Sequence, residues 1–221
     1  MIGHFFRIAW RNLLKRKFYS LINITGLAIG MASCILIAIY VQHELSFDQY
    51  HTKKDRIYRV LQTFRAVKEG ENLPAPTPSD YWVWGCAPVG PALQSDFPQI
   101  EKMVRFMSPL SLLLQHGDKR IQQDNLLMMD STAFDVFSWK MLKGDSRSAL
   151  IAPNNIVLTK TTARKLFGSD NPVGQTLRVD NQTNFVVSGV MEDVPANSQF
   201  TFNGLISMSP MRTWRAEIFN W

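Results

Sequence analysis

Two histidines and two carboxylates fall within a nine-residue stretch: His43, Glu44, Asp48 and His51. Imidazole and carboxylate are common donors to zinc and similar divalent ions. On one continuing helix His43 and His51 would share a face two turns apart, with Asp48 nearby. The alternative is a polar collar bordering the apolar run that ends just before them. Nothing else in the chain adds a ligand, so the collar is the expectation and no metal is expected. Other chemistry finds less support. There is no G-x-x-x-x-G-K-[ST], H-E-x-x-H, C-x-x-C or G-x-S-x-G. The carboxylates are scattered, so none can be assigned acid and base roles. The two cysteines, Cys34 and Cys86, are isolated and form no disulfide framework. Asn23-Ile24-Thr25 and Asn181-Gln182-Thr183 fit a glycosylation pattern, a weak signal. No catalytic residue and no cofactor is expected, and the chain is not expected to be an enzyme.

The elements that carry these residues are clearer. Phe18 to Val41 is a 24-residue stretch without a charge, and the next charge is Glu44. At about 1.5 Å per residue it reaches about 36 Å, enough to cross a hydrocarbon core of about 30 Å with some tilt. Lys15, Arg16 and Lys17 precede it, and Glu44 and Asp48 follow it. The positive-inside rule then puts Met1 in the cytoplasm and Glu44 outside. A cleaved signal peptide would have a shorter apolar core and a small-residue cleavage site. Met31-Ala32-Ser33-Cys34 resembles a lipoprotein signal, but Ile35 to Val41 would leave an apolar tail after it. An uncleaved span over residues 18–43 is the reading we adopt.

Within the span, Gly26 and Gly30 form G-x-x-x-G beside the small pair Ala28 and Ala32. Such a strip lets a partner helix approach closely. Before it, Phe5, Phe6, Ile8, Ala9, Leu13 and Leu14 fall largely on one helical face. Arg7, Arg11 and Lys15 recur every four residues on another, and Trp10 suits an interface. Residues 1–17 therefore read as a basic amphipathic helix on the inner leaflet, anchored by Arg7, Arg11, Lys15, Arg16 and Lys17.

The chain has 221 residues and a formal charge of +6. Five of its 24 basic residues and none of its 18 acids lie before residue 44, leaving 19 against 18 in the remainder. The pI near 9.4 thus belongs to the N-terminal piece, and a nearly neutral outer domain argues against nucleic acid.

Residues 44–221 read as a mixed α+β domain without a linker. Strands are expected at 56–64, 101–107, 121–129, 155–158 and 203–208. A hairpin is expected from 175–179 and 184–191 across Asp180-Asn181-Gln182-Thr183. Short helices are expected at 91–97, at 131–137 capped by Ser131, and after Thr159 or Thr161 up to Gly168. Leu73 to Pro91 is rich in proline and reads as a long loop carrying Tyr81, Trp82 and Trp84, aromatics expected to tuck onto the domain.

The order of short motifs is more specific than any one of them. Phe6-Arg7-Ile8-Ala9-Trp10-Arg11-Asn12-Leu13 leads into the span. Phe47-Asp48-Gln49-Tyr50-His51 and Asp55-Arg56-Ile57-Tyr58-Arg59-Val60 follow it. Farther on come Leu142-Lys143-Gly144-Asp145, Ala149-Leu150 and Pro153-Asn154-Asn155-Ile156-Val157-Leu158-Thr159. Ala163-Arg164-Lys165-Leu166-Phe167-Gly168, Asn171-Pro172-Val173-Gly174 and Val187 through Pro195 complete the series. This set closely resembles the permease subunits of MacB/FtsX-type ABC transporters, including their periplasmic core domain.

The resemblance implies an inner-membrane permease with a periplasmic domain, a partner ABC ATPase that hydrolyses ATP in the cytoplasm, and a homodimer or permease partner. It implies mechanical transmission for export or for lipoprotein or peptide handling. It also implies at least three further spans, so the chain is expected to be an N-terminal fragment with an incomplete outer domain. Gly144, Gly168, Gly174 and Pro172 are expected to shape turns. A single-span sensor or binding protein is the alternative.

Overall fold

The computed structural model describes Arg7, Trp10, Arg11, Leu13 and residues 15–64, 75–107, 109–168 and 171–209. Phe5, Phe6, Ile8, Ala9, Asn12 and Leu14 of the basic helix, Leu73 and Pro74 of the loop, and Trp221 lie outside them. The chain divides into two units, Met1–Phe47 and Asp48–Trp221.

In the first unit, Arg7, Trp10, Arg11, Leu13 and Lys15 are helical and exposed. Helix α1, Lys17–Leu45, has 29 residues, none buried. At about 1.5 Å per residue it is about 43 Å long. It is apolar enough to cross a membrane, with a mean hydropathy of 2.2. Two of its hydroxyls bond back to the helix's own carbonyls, which keeps them compatible with an apolar surrounding. Thr25 Oγ1 donates to the Leu21 carbonyl at 2.7 Å, and Ser33 Oγ donates to the Ile29 carbonyl at 2.9 Å. A Cβ built on Gly26 or Gly30 meets nothing within 4 Å, so that strip is open.

Among its described residues the second unit has seven strands: β1 (Leu110–His116), β2 (Lys119–Met129), β3 (Met141–Gly144), β4 (Asn155–Thr159), β5 (Thr176–Val179), β6 (Thr183–Met191) and β7 (Gly204–Ser207). Their order is β3-β6-β4-β7-β2-β1-β5, and β5 also pairs with β6. Six strands therefore form a closed ring of hydrogen bonding, with β3 attached to the second half of one side of β6. Closure removes most of the open edge.

Strand β2 pairs parallel with β7, and β4 pairs parallel with β6, while the other pairings are antiparallel. Strands β4 and β7 are apolar and buried on both sides, because alternate residues point to opposite faces. Ile156, Leu158, Leu126 and Ile206 enter one cluster with Leu177, Phe185 and Val187. Val157, Leu127, Met129 and Leu205 enter another with Phe137, Trp139, Leu150 and Phe202. Asn125, at φ 56°, marks a bulge in β2 opposite Leu110–Leu112.

Helix α4, Lys160–Phe167, covers the first cluster with Ala163, Leu166 and Phe167. Thr159 is its cap and accepts from Thr162 N–H, whereas Thr161 donates from its N–H and hydroxyl to Asp193. Gly168 ends it at φ 66°. The hairpin of β5 and β6 turns at Asp180 and Asn181, both left-handed at φ 49° and 59°. Helix α2 (Val89–Asp96) lies where a short helix is expected, and α3 (Ala133–Val136) is a single turn.

Several expectations need correction. Residues 56–64 are not a strand. A 3-10 turn at Lys54–Arg56 leads into extended chain with one bridge, Gln62 to Trp82. Residues 101–107 hold only the bridge Phe106 to Met129. Thr132, not Ser131, begins α3, and its hydroxyl is turned away to the Met103 carbonyl at 2.5 Å. Trp82 and Trp84 do not tuck in: they are 56% and 64% exposed. Strands β1 and β3 were not expected.

Candidate functional site

His43 and His51 do not share one continuing helix, because α1 ends at Leu45. His43 and Glu44 belong to its last turn. Asp48 and His51 begin the second unit, where they do structural work with Tyr50 and Thr52. No group of three or more His, Cys, Asp or Glu residues is placed to hold a metal among the described residues.

Asp48 adopts φ 55°, a left-handed conformation that Asp tolerates better than most residues. Three contacts with one segment hold it there. Its N–H donates to the Asn197 carbonyl at 3.0 Å. Its Oδ1 accepts from Ser198 Oγ and from the Gln199 N–H, each at 3.1 Å. Tyr50 Oη lies 2.9 Å from Ser198 Oγ and accepts from Trp139 Nε1 at 3.1 Å. Ser198 has one hydroxyl proton, and the carboxylate of Asp48 takes it. Tyr50 must therefore donate to Ser198. The result is a directed relay, Trp139 to Tyr50 to Ser198 to Asp48, in which every donor points toward the negative charge. Such chains polarise cooperatively in a partly buried setting.

The next two residues grip a second segment. His51 is buried, and its Nδ1 accepts from the Ser138 N–H at 3.1 Å. Thr52 N–H donates to Ser138 Oγ at 3.0 Å, and the two hydroxyls lie 2.8 Å apart. Lys53 Nζ reaches the Asp135 carbonyl at 2.8 Å. Rings surround the imidazole: Tyr50 at 4.1 Å, Phe137 at 5.3 Å and Trp139 at 6.0 Å between centroids. Trp139 in turn stacks on Phe137 at 4.6 Å and meets Phe202 edge-on at 4.8 Å. Burial pushes the Tyr50 phenol above its ordinary value, against the pull of its bonds to Ser198 and Trp139. Burial also pushes the His51 imidazole below its ordinary value, with the charge of Asp48 working the other way.

Residues 48–53 are thus clamped onto 135–139 and 197–199. The clamp begins three residues after the end of the apolar helix. In this arrangement the hydroxyls, the imidazole and the carboxylate are engaged with one another and with the backbone. What it can do is hold: polar bonds fix residues 48–53 within the domain, and the aromatic cluster beneath resists their displacement.

A family model for the MacB-like periplasmic core domain matches residues 20–220. The chain belongs to that family. That family is the MacB-like periplasmic core domain of ABC-type transporter permeases. With the apolar helix, this gives a membrane protein with an extracytoplasmic domain.

Three solved structures are similar. One is a domain of a protein named as a permease from Porphyromonas gingivalis, at 23% identity and TM-score 0.49, covering 62% of this chain and 57% of that one. Another is the extracellular domain of the noncanonic ABC-type transporter YknZ from Gram-positive bacteria, at 19%, 0.41, 52% and 59%. The third is the periplasmic region of MacB from Actinobacillus actinomycetemcomitans, at 22%, 0.40, 54% and 56%. The chain spans less than two thirds of each. None of the curated proteins matches the chain.

Proposed function

We propose that this chain is a membrane permease component of an ABC transporter that passes motion from a cytoplasmic ATPase to its outer domain. The observation that carries this reading is the clamp of residues 48–53, which follows a membrane-length helix by three residues in a chain of this family. Motion of a helix is useful outside the membrane only if the chain leaving it is held firmly by the domain. A flexible linker would absorb the movement, whereas a segment fixed by hydrogen bonds and an aromatic bed transmits it.

In this reading residues 1–17 lie on the inner face, anchored by Arg7, Arg11, Lys15, Arg16 and Lys17, and residues 18–43 cross the bilayer. Gly26 and Gly30 offer the contact strip for a second helix, from another copy of the chain or another permease subunit. The cargo handled outside is exported material, lipoprotein or peptide. The test uses the gene product tagged at its own locus. An ATPase with a Walker motif should co-purify with it from solubilised membranes; a pure preparation with no ATPase would contradict the assignment. Orientation is tested separately. A reporter active only outside the cytoplasm, fused after Thr52, should be active, and silence would reverse the topology.

A further inference from the structure

We propose that His51 makes this clamp a pH-sensitive latch: protonation of its buried imidazole releases the hold of His51 and Thr52 on Ser138 when the surroundings of the outer domain acidify. The inference rests on the extracytoplasmic placement proposed above and adds to it a regulated state.

The geometry fixes the sign. Nδ1 of His51 accepts a hydrogen bond from the Ser138 N–H at 3.1 Å. A ring nitrogen that accepts carries no proton, so the neutral ring has its proton on Nε2. Nε2 is buried and meets no hydrogen-bond partner among the described residues. A second proton must therefore go to Nδ1, where it would point at the Ser138 N–H. Donor would face donor, and a charged ring would sit among Tyr50, Phe137 and Trp139. Neutral imidazole fits the site and imidazolium does not.

The charged groups around it are few. Asp48 lies on the same segment, and its charge favours protonation, though its Oδ1 is already engaged by Ser198 and Gln199. Tyr50 stays neutral through the relevant pH range, since burial raises its pKa from 10.0. From the same segment Lys53 reaches the Asp135 carbonyl, and Lys102 pairs with the Asp135 carboxylate at 3.5 Å. Phe137, Ser138 and Trp139, and Ser198 and Phe200, bring no charge. Burial and ring contact outweigh Asp48, so the imidazole titrates below its ordinary value of 6.5.

The linkage follows. The unfolded histidine binds its proton at a higher pH than the clamped one. The clamp is therefore at full strength above pH 6.5 and weakens as the pH falls from there toward the lowered value. One proton limits the response to about tenfold per pH unit.

The full chain in nanodiscs, carrying isotope-labelled histidine, tests this between pH 8 and pH 5. The protection factors of the Ser138 and Thr52 amides are measured by hydrogen exchange, with the His51 ring signal followed alongside. The expected result is a fall in both factors that tracks His51 protonation. In His51→Asn, which keeps an acceptor but does not titrate, the fall should vanish. Equal pH responses in wild type and His51→Asn would overturn the latch. If the variant fails to fold, the wild-type titration decides alone: His51 protonating with no loss of Ser138 protection would refute it. Co-purification of the ATPase at pH 7.5 is read in parallel, so failure of the latch is separable from failure of the permease assignment.

Discussion

At the scale of the residue, Asp48 is the most informative position. It combines a left-handed backbone with a carboxylate that two donors share. Asp48→Ala removes the acceptor and leaves a side chain poorly suited to φ 55°, so the domain should lose about 1–3 kcal/mol in chemical denaturation. Asp48→Asn keeps an acceptor oxygen and tolerates the left-handed region, so most of that loss should be recovered. An Asn variant as weak as Ala would mean that charge matters more than the acceptor geometry. In the sequence, Phe47 to His51 was visible as a motif, and its acidic and histidine members read as part of a polar collar rather than a metal site. The partners were not visible. Ser138 and Ser198 are ordinary hydroxyls about 87 and 150 positions away from what they touch. No local pattern marks a serine for a long-range bond, and Trp139 reads only as one more buried aromatic.

At the scale of the element, legibility followed locality. The cap at Thr159, the stop at Gly168 and the turn at Asp180-Asn181 each depend on residues a few positions apart. The stop and the turn could be inferred from the chain, which left Thr159 and Thr161 both open as the cap. Strand β1 was hidden because its apolar positions do not alternate: Leu112, Leu113 and Leu114 are consecutive. Strand β3 is four residues long and is defined by its pairing with β6 rather than by its own composition.

The pairing of β3 also explains Gly144, which the motif reading assigned to a turn. It has φ 89°, and a Cβ there would collide with the Ser188 carbonyl oxygen. Gly144→Ala should therefore cost at least about 2 kcal/mol, from strain and from backbone displacement together, with loss of β3 pairing visible in amide exchange. Wild-type stability in that variant would mean that β3 moves away freely. The expected strand at 56–64 failed for a different reason. Tyr58 is 84% exposed and Phe64 60%, so its alternating apolar residues have no described core to face. Alternation predicts a strand only where a sheet is there to receive it.

At the scale of the whole molecule, the apolar run made a helix of membrane-spanning length legible without help from any relative. Its open Gly26/Gly30 strip bears on assembly. Replacing both glycines by Ile should abolish association of the helix in a membrane two-hybrid assay. Undiminished association would show that the strip serves no contact.

In the proposed function the clamp couples the membrane helix to the outer domain. A spin label at Gln42 in the last part of α1 and another at Arg120, exposed at the start of β2, report that coupling as a distance. In the assembled transporter, trapping the ATPase with nucleotide should shift the distribution of distances, and Asp48→Ala should abolish the shift while the complex stays intact. A wild-type distribution that ignores nucleotide, or a shift that survives Asp48→Ala unchanged, would contradict the claim.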